Sequence, residues 1–221
     1  MCPLYSILNA LPGQVCDRAY LPAADLAQRL KERDQALFGV ESRWPLNAFD
    51  ILGFSLSYEL GATNILQMLD LCRVPIRAAD RGDRPLGDPD APPLIFAGGP
   101  TATSNPEPYA AFFDFIVLGD GEELLPEIGL VLAEGKEAGL SRSDLLRDLA
   151  LVPGVYVPSL YAPGADGVTI EPLEPGLPPR VLRRVATPMP HYAMGLVPHV
   201  ETVHDRLTVE TVSYTHLTLP T

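Results

Sequence analysis

Three short stretches gather the residue types that can hold a small molecule. Ser55 and Ser57 stand in SLSYELG; Gly98, Gly99, Pro100, Thr101 and Thr103 stand in AGGPTATS; Gly119, Asp120, Gly121, Glu122 and Glu123 stand in LGDGEE. Glycines admit close approach of backbone to a ligand, and Ser and Thr supply hydroxyls. The carboxylates restrict the chemistry. A helix amino terminus ordinarily attracts phosphate, but Asp120, Glu122 and Glu123 already place negative charge at one, so hydroxyl or amide groups suit this turn better. No G-x-x-x-x-G-K-[ST] run is present, which excludes a P-loop, and no G-x-G-x-x-G follows a first strand. Each turn also has a purely structural reading: Gly-Gly-Pro as a tight turn, and Asp120 with Glu123 as a helix cap and its N3 partner.

Other chemistry is thinly supported. Cys2, Cys16 and Cys72 form no C-x-x-C pair and suit buried thiols in a reducing compartment. His199 and His204 lie five apart, a poor spacing for two ligands on one helix face. No nucleophile elbow accompanies a Ser-His-Asp set. Trp44 reads as an anchor for its loop.

The elements around these turns follow from apolar patterning. Residues 50–57, 93–97 and 115–118 are apolar runs of strand length, and the three turns follow them. Helical spacing marks residues 4–11, 22–33, 64–72 and 122–133; in the last, Leu124, Leu125, Ile128, Val131 and Leu132 share a face. Ser141 and Asp144 have the spacing of a capping box opening a helix to about residue 150. A strand is expected at 14–20, and shorter ones at 154–157 and 168–171. Residues 174–190 are rich in Pro and read as a linker or an edge segment. Continuously apolar strands alternating with helices predict an α/β domain: a Rossmann-like or flavodoxin-like, doubly wound parallel sheet. Ligands of such sheets bind beyond the carboxyl ends of the strands, at the switch point in strand order.

Composition agrees. The chain has 221 residues, 47% hydrophobic and 20% charged, with a formal net charge of −12. A packed core is expected, and nonspecific nucleic-acid binding is disfavoured. No run approaches the roughly 20 apolar residues of a membrane span and no signal peptide opens the chain, so a soluble, cytoplasmic protein is expected, with no membrane partner.

Four segments, ESRWPLNAFDILGFSLSYELGATNILQMLDL, IFAGGPTATSNPEPYAAFFDFIVLGDGEE, LSRSDLLRDLALVPGVYVPSLY and VETVHDRLTVE, resemble in order the N-terminal region of cobalamin-binding-type radical SAM proteins. The resemblance implies a cobalamin-binding-like domain over residues 1–150, its first strand missing. Short strands and a Pro-rich linker follow over 151–190, then the start of a truncated radical SAM barrel over 191–211, with 206–210 as its first strand. It implies that the parent enzyme holds a [4Fe–4S] cluster on a Cys-x-x-x-Cys-x-x-Cys loop. The cluster binds S-adenosylmethionine and cleaves it reductively to a 5′-deoxyadenosyl radical. That loop is absent here, so no metal ligand is expected and the stretch is expected to be inactive by itself. The Asp-x-His-x-x-Gly motif is absent too, so cobalamin would bind without a protein histidine or not at all. Its placement in the family fold assigns Ser55, Ser57, Gly98, Gly99, Pro100, Thr101, Gly119, Asp120, Gly121 and Glu122 to cofactor binding, and makes the rest of the barrel the chain's partner. The alternative is a stand-alone ligand-binding or scaffold domain without catalysis. Residues 212–221, VSYTHLTLPT, resemble a translated sequencing adapter and are left out of the fold reading, with Thr211 doubtful.

Overall fold

The structure, a computed structural model, describes residues 2–187. Helix α1 (Cys2–Asn9) and helix α2 (Ala24–Glu32) come first. Then follow β1 (Ile51–Ser55), α3 (Gly61–Cys72), β2 (Leu94–Gly98), the short α4 (Pro100–Ser104), β3 (Phe115–Val117), α5 (Gly121–Ala138), α6 (Arg142–Ala150) and β4 (Val155–Tyr156). A separate two-stranded ribbon, β5 (Tyr161–Pro163) and β6 (Ile170–Pro172), closes the series.

The main sheet has the order β1-β2-β3-β4. β1 and β2 pair in parallel from Ile51 opposite Leu94 to Ser55 opposite Gly98, and β2 pairs in parallel with β3. The β-α-β units expected from the apolar runs are therefore present, and the mostly parallel sheet fits a Rossmann-like α/β fold. Two features depart from the doubly wound, all-parallel expectation. The described strands succeed one another across the sheet without reversal, so they contain no switch point. β4 is also antiparallel to β3. The cause is the number of helices between them. α5 returns from the carboxyl end of β3 to the amino end, α6 brings the chain back, and β4 must run down.

Packing follows the patterns that form the elements. Leu124, Ile128 and Leu132 of α5 are buried at i, i+4 and i+8, with Leu125 and Val131 half-buried beside them. Ile65, Met68, Leu69 and Cys72 form the buried stripe of α3. β3 is buried at every position, whereas Gly53 and Ser55 of β1 are exposed, as an edge strand allows. Each fully buried aliphatic or Phe side chain contributes about 1.5–3 kcal/mol. α5 ends on Gly139 at φ 65°, the left-handed cap that glycine accepts without penalty. Ser141 caps α6 by accepting from the Asp144 N–H, as the capping-box spacing predicts.

Residues 14–20 are not a strand. Their neighbours bind them through a side chain instead: Asp17 accepts from the N–H groups of Arg18, Glu41 and Ser42 and from the Ser42 hydroxyl. These local bonds compete with a ladder. Of the strand expected at 168–171, residues 170 and 171 lie in β6, while Val168 and Thr169 belong to the turn before it, their N–H groups donating to the Asp166 carboxylate. The Pro-rich run does not stand clear of the domain. Arg147 pairs with Glu174 at 3.0 Å, and the Tyr161 hydroxyl donates to the Pro178 carbonyl at 2.9 Å. The expected barrel strand at 206–210, His199, His204 and residues 212–221 lie outside the described residues.

Candidate functional site

All three turns lie at the carboxyl ends of β1, β2 and β3. The first two are stitched to each other. Ser55 stands opposite Gly98 in the ladder. Beyond it the Leu56 N–H donates to the Gly98 carbonyl at 2.8 Å, and the Leu56 carbonyl accepts from the Thr101 N–H at 3.2 Å. Gly99 has φ 103°, and a Cβ there would lie 2.8 Å from the Leu56 carbonyl oxygen. The glycine is needed so that the chain can approach itself. Pro100 opens α4, Thr101 is half-buried, and Ser55 and Ser57 are exposed.

The second and third turns are joined as well: the Gly119 N–H donates to the Thr103 hydroxyl at 3.0 Å. Gly119 has φ 98°, and its open side is filled by a later part of the chain. Arg184 bridges to Gly119 in parallel; its N–H donates to the Leu118 carbonyl at 2.8 Å, and its carbonyl accepts from the Asp120 N–H at 3.0 Å. A Cβ on Gly119 would fall 2.0 Å from the Arg184 carbonyl oxygen. Asp120 occupies the cap position of α5 but makes no side-chain cap bond. Its carboxylate accepts instead from the Ala186 N–H at 2.9 Å. Glu123 accepts from the Thr187 N–H at 3.2 Å, and that bond, with Arg184 close by, holds its carboxyl below the ordinary value. Arg184 pairs with Glu127 at 2.6 Å and Glu123 at 3.5 Å. Gly121 admits the side chain of Leu4, 3.2 Å from where a Cβ would stand, and Glu122 is half-buried beside it.

The ten residues assigned to cofactor binding thus gather at one end of the sheet, yet much of their bonding is spent on the chain itself. Of the two best-formed indentations among the described residues, one has room for about 20 Å³ and the other for none. Ligand pockets span roughly 300–1,000 Å³. The larger one is walled by Leu56, Ile65, Leu66, Tyr109 and Phe112 and is apolar. The cradle at Gly119 is filled by a carbonyl, so these residues as arranged do not fit a cobalamin. Among the described residues no group of three or more His, Cys, Asp or Glu side chains is placed to hold a metal ion. Burial pushes the Cys72 thiol up to about 12 and also raises Cys16, which makes both poor nucleophiles and poor ligands near neutrality.

The opposite end of the sheet holds a constellation that the sequence reading missed. Asp114, just before β3, is buried between two buried arginines. It accepts from Arg81 at 2.8 Å and from Arg142 at 3.1 and 2.8 Å, and its Oδ2 also accepts from the Ile95 N–H at 2.7 Å. Five further guanidinium N–H groups donate to the carbonyls of Pro75, Ile76, Phe112, Pro92 and Pro93. Burial lowers the Arg81 pKa, while Asp114 opposes that shift. The trio carries a net positive charge, and carbonyl dipoles answer it. Among the described residues no buried side-chain N or O atom lacks a partner, so the network is a satisfied tie rather than a site awaiting a ligand. One signal was present: an aspartate inside the apolar run FFDFIV must find partners if that run is buried.

Fold and site together define a Rossmann-like α/β domain whose strand-end turns are bonded internally. Comparison with known families makes this specific. The family described as radical SAM proteins, N-terminal, matches residues 1–158, and the chain belongs to it. The match runs through β4, the last strand of the main sheet. No curated protein and no solved structure matches the chain. No helix among the described residues is long and apolar enough to cross a membrane.

Proposed function

We propose that this chain is the N-terminal part of a cytoplasmic radical SAM iron–sulfur enzyme, in which it serves as a scaffold domain for the cluster-bearing barrel. The family match over residues 1–158 carries the proposal. The family implies a [4Fe–4S] cluster and S-adenosylmethionine in the parent enzyme, and among the described residues no group of three or more His, Cys, Asp or Glu is placed to hold a metal ion. The contribution of this domain is structural: a mostly parallel sheet whose carboxyl end is joined by residues 184–187. Substrate choice belongs to the barrel.

The source DNA tests this directly. Reading it across codon 211 is expected to continue in frame into Cys-x-x-x-Cys-x-x-Cys. The protein so encoded, reconstituted with iron and sulfide, is expected to form 5′-deoxyadenosine from S-adenosylmethionine. A genomic VSYTHLTLPT followed by a stop would overturn the enzyme reading and leave a scaffold or ligand-binding domain.

A cobalamin-binding role remains the alternative, favoured by the convergence of glycine turns at one end of the sheet. The Arg184 carbonyl against Gly119 weighs against it. Retention of hydroxocobalamin by the protein on a desalting column would favour that alternative; complete loss would reject it.

A further inference from the structure

The acidic turn after β3 has the features of a ligand cradle: a glycine with positive φ, a helix amino terminus, and carboxylates at its rim. Residues 184–187 occupy the open side of the glycine and bind the Asp120 N–H and the carboxylates of Asp120 and Glu123. Three backbone bonds join Leu118, Asp120 and Arg184 or bind Ala186 to the Asp120 carboxylate, and a fourth binds Thr187 to Glu123. Arg184 and Ala186 are half-buried while Val185 and Thr187 are exposed, the alternation of a strand lying on a surface. Pairing of β3 with β4 ends near Gly154, whose carbonyl accepts from the Leu118 N–H, and Arg184 takes over as the partner from there. The contact is sequence-specific at one side chain, since Arg184 reaches Glu123 and Glu127 on successive turns of α5.

We propose that residues 184–187 form a strap whose binding site is the Gly119–Glu123 turn, so that this turn is a clamp for the chain's own outgoing segment and not a cofactor site. The strap pairs in parallel with the chain just beyond β3, past the end of β4, and covers that end of the sheet. Gly119 is then required for the approach of the Arg184 carbonyl. Asp120 and Glu123 are required as acceptors for amides that would otherwise lose their partners. This goes beyond the scaffold role and does not depend on it.

Hydrogen exchange on the full chain, with hydroxocobalamin as the probe ligand, tests the strap. In the unaltered protein the amides of residues 184, 186 and 187 and that of Asp120 are expected to exchange slowly, and hydroxocobalamin is expected to leave them unchanged. Arg184→Glu replaces attraction to Glu123 and Glu127 with repulsion, and should speed exchange at 120, 184, 186 and 187 together by about tenfold. Residues 94–98 should stay protected, which shows that the variant is folded. Ala186→Pro removes the 186 donor without changing charge and should speed exchange at the remaining amides, 120, 184 and 187. Unprotected amides at 184, 186 and 187 in the unaltered protein would overturn the proposal. So would hydroxocobalamin that accelerates their exchange, because the turn would then be a ligand site that the strap covers. None of these readings uses catalytic activity, so they stand or fall separately from the enzyme assignment.

Discussion

The two ends of the sheet handle charge in opposite ways. At the amino end, Asp114, Arg81 and Arg142 are buried, and carbonyls take the spare guanidinium donors. At the carboxyl end, Asp120, Glu123, Glu127 and Arg184 remain in reach of solvent, and backbone amides do most of the joining. Buried charge tolerates no missing partner, because water cannot replace it. Exposed charge is cheap to rearrange. The amino end therefore acts as the fixed tie of the fold, and the carboxyl end is the part that can open. Ligand sites of α/β sheets lie at the carboxyl end, so the strongest ionic cluster here marks the end where function is not expected.

The largest effect should come from removing the centre of the tie. Asp114→Ala leaves two buried guanidiniums unpaired and should cost about 3–5 kcal/mol in urea unfolding; a loss below about 1 kcal/mol would break the contrast between the ends. Gly119→Ala forces a side chain into positive φ and against the Arg184 carbonyl. It should cost about 1–3 kcal/mol in the same assay, with the exchange changes confined to the third turn and the strap. Ser141→Ala removes the α6 cap beside Arg142, together with the hydroxyl's bond to the Asp144 carboxylate, without touching the buried ion network, and about 1 kcal/mol is expected; a loss as large as that of Asp114→Ala would show that the cap and the ion network act as one unit. The smallest effect is that of pH. Glu123 has its folded pKa below its ordinary value of 4.5. Its support for the strap is complete above that value and fades as pH falls through the depressed one. Protection of the residue 187 amide, taken relative to its intrinsic exchange rate at each pH, should therefore fall in acid, and Glu123→Gln, which cannot titrate, should remove that dependence.

Much of the sheet could be read in advance because its strands are short, continuously apolar and each closed by glycine or a polar turn. The direction of β4 was hidden, since VYV looks the same run either way; the even number of helices between β3 and β4 was the available clue. The strand expected at 14–20 failed because Asp17 drew nearby amides to its side chain. The three turns were found, and they do meet at one end of the sheet. Their occupant was not found. Arg184 lies 57 residues from Glu127, in a Pro-rich stretch with no periodicity to reveal a partner. The Asp114 tie escaped for the same reason of distance, with its arginines 33 and 28 residues away.

Gly53 sits on the exposed edge strand, where most substitutions would be expected to pass unnoticed. Yet a Cβ there would come 2.4 Å from the tip of the Phe96 ring, and that ring is backed by Phe115, stacked at 5.0 Å and 3°. Phe96 therefore cannot retreat toward β3. In a library scanned one position at a time, 53 should behave as a closed position despite its exposure. Alanine should become acceptable there only after Phe96 has been replaced by something smaller. In a lineage, that fixes the order of two events: the change at 96 must come first, and once 53 has changed, the return of phenylalanine at 96 is blocked.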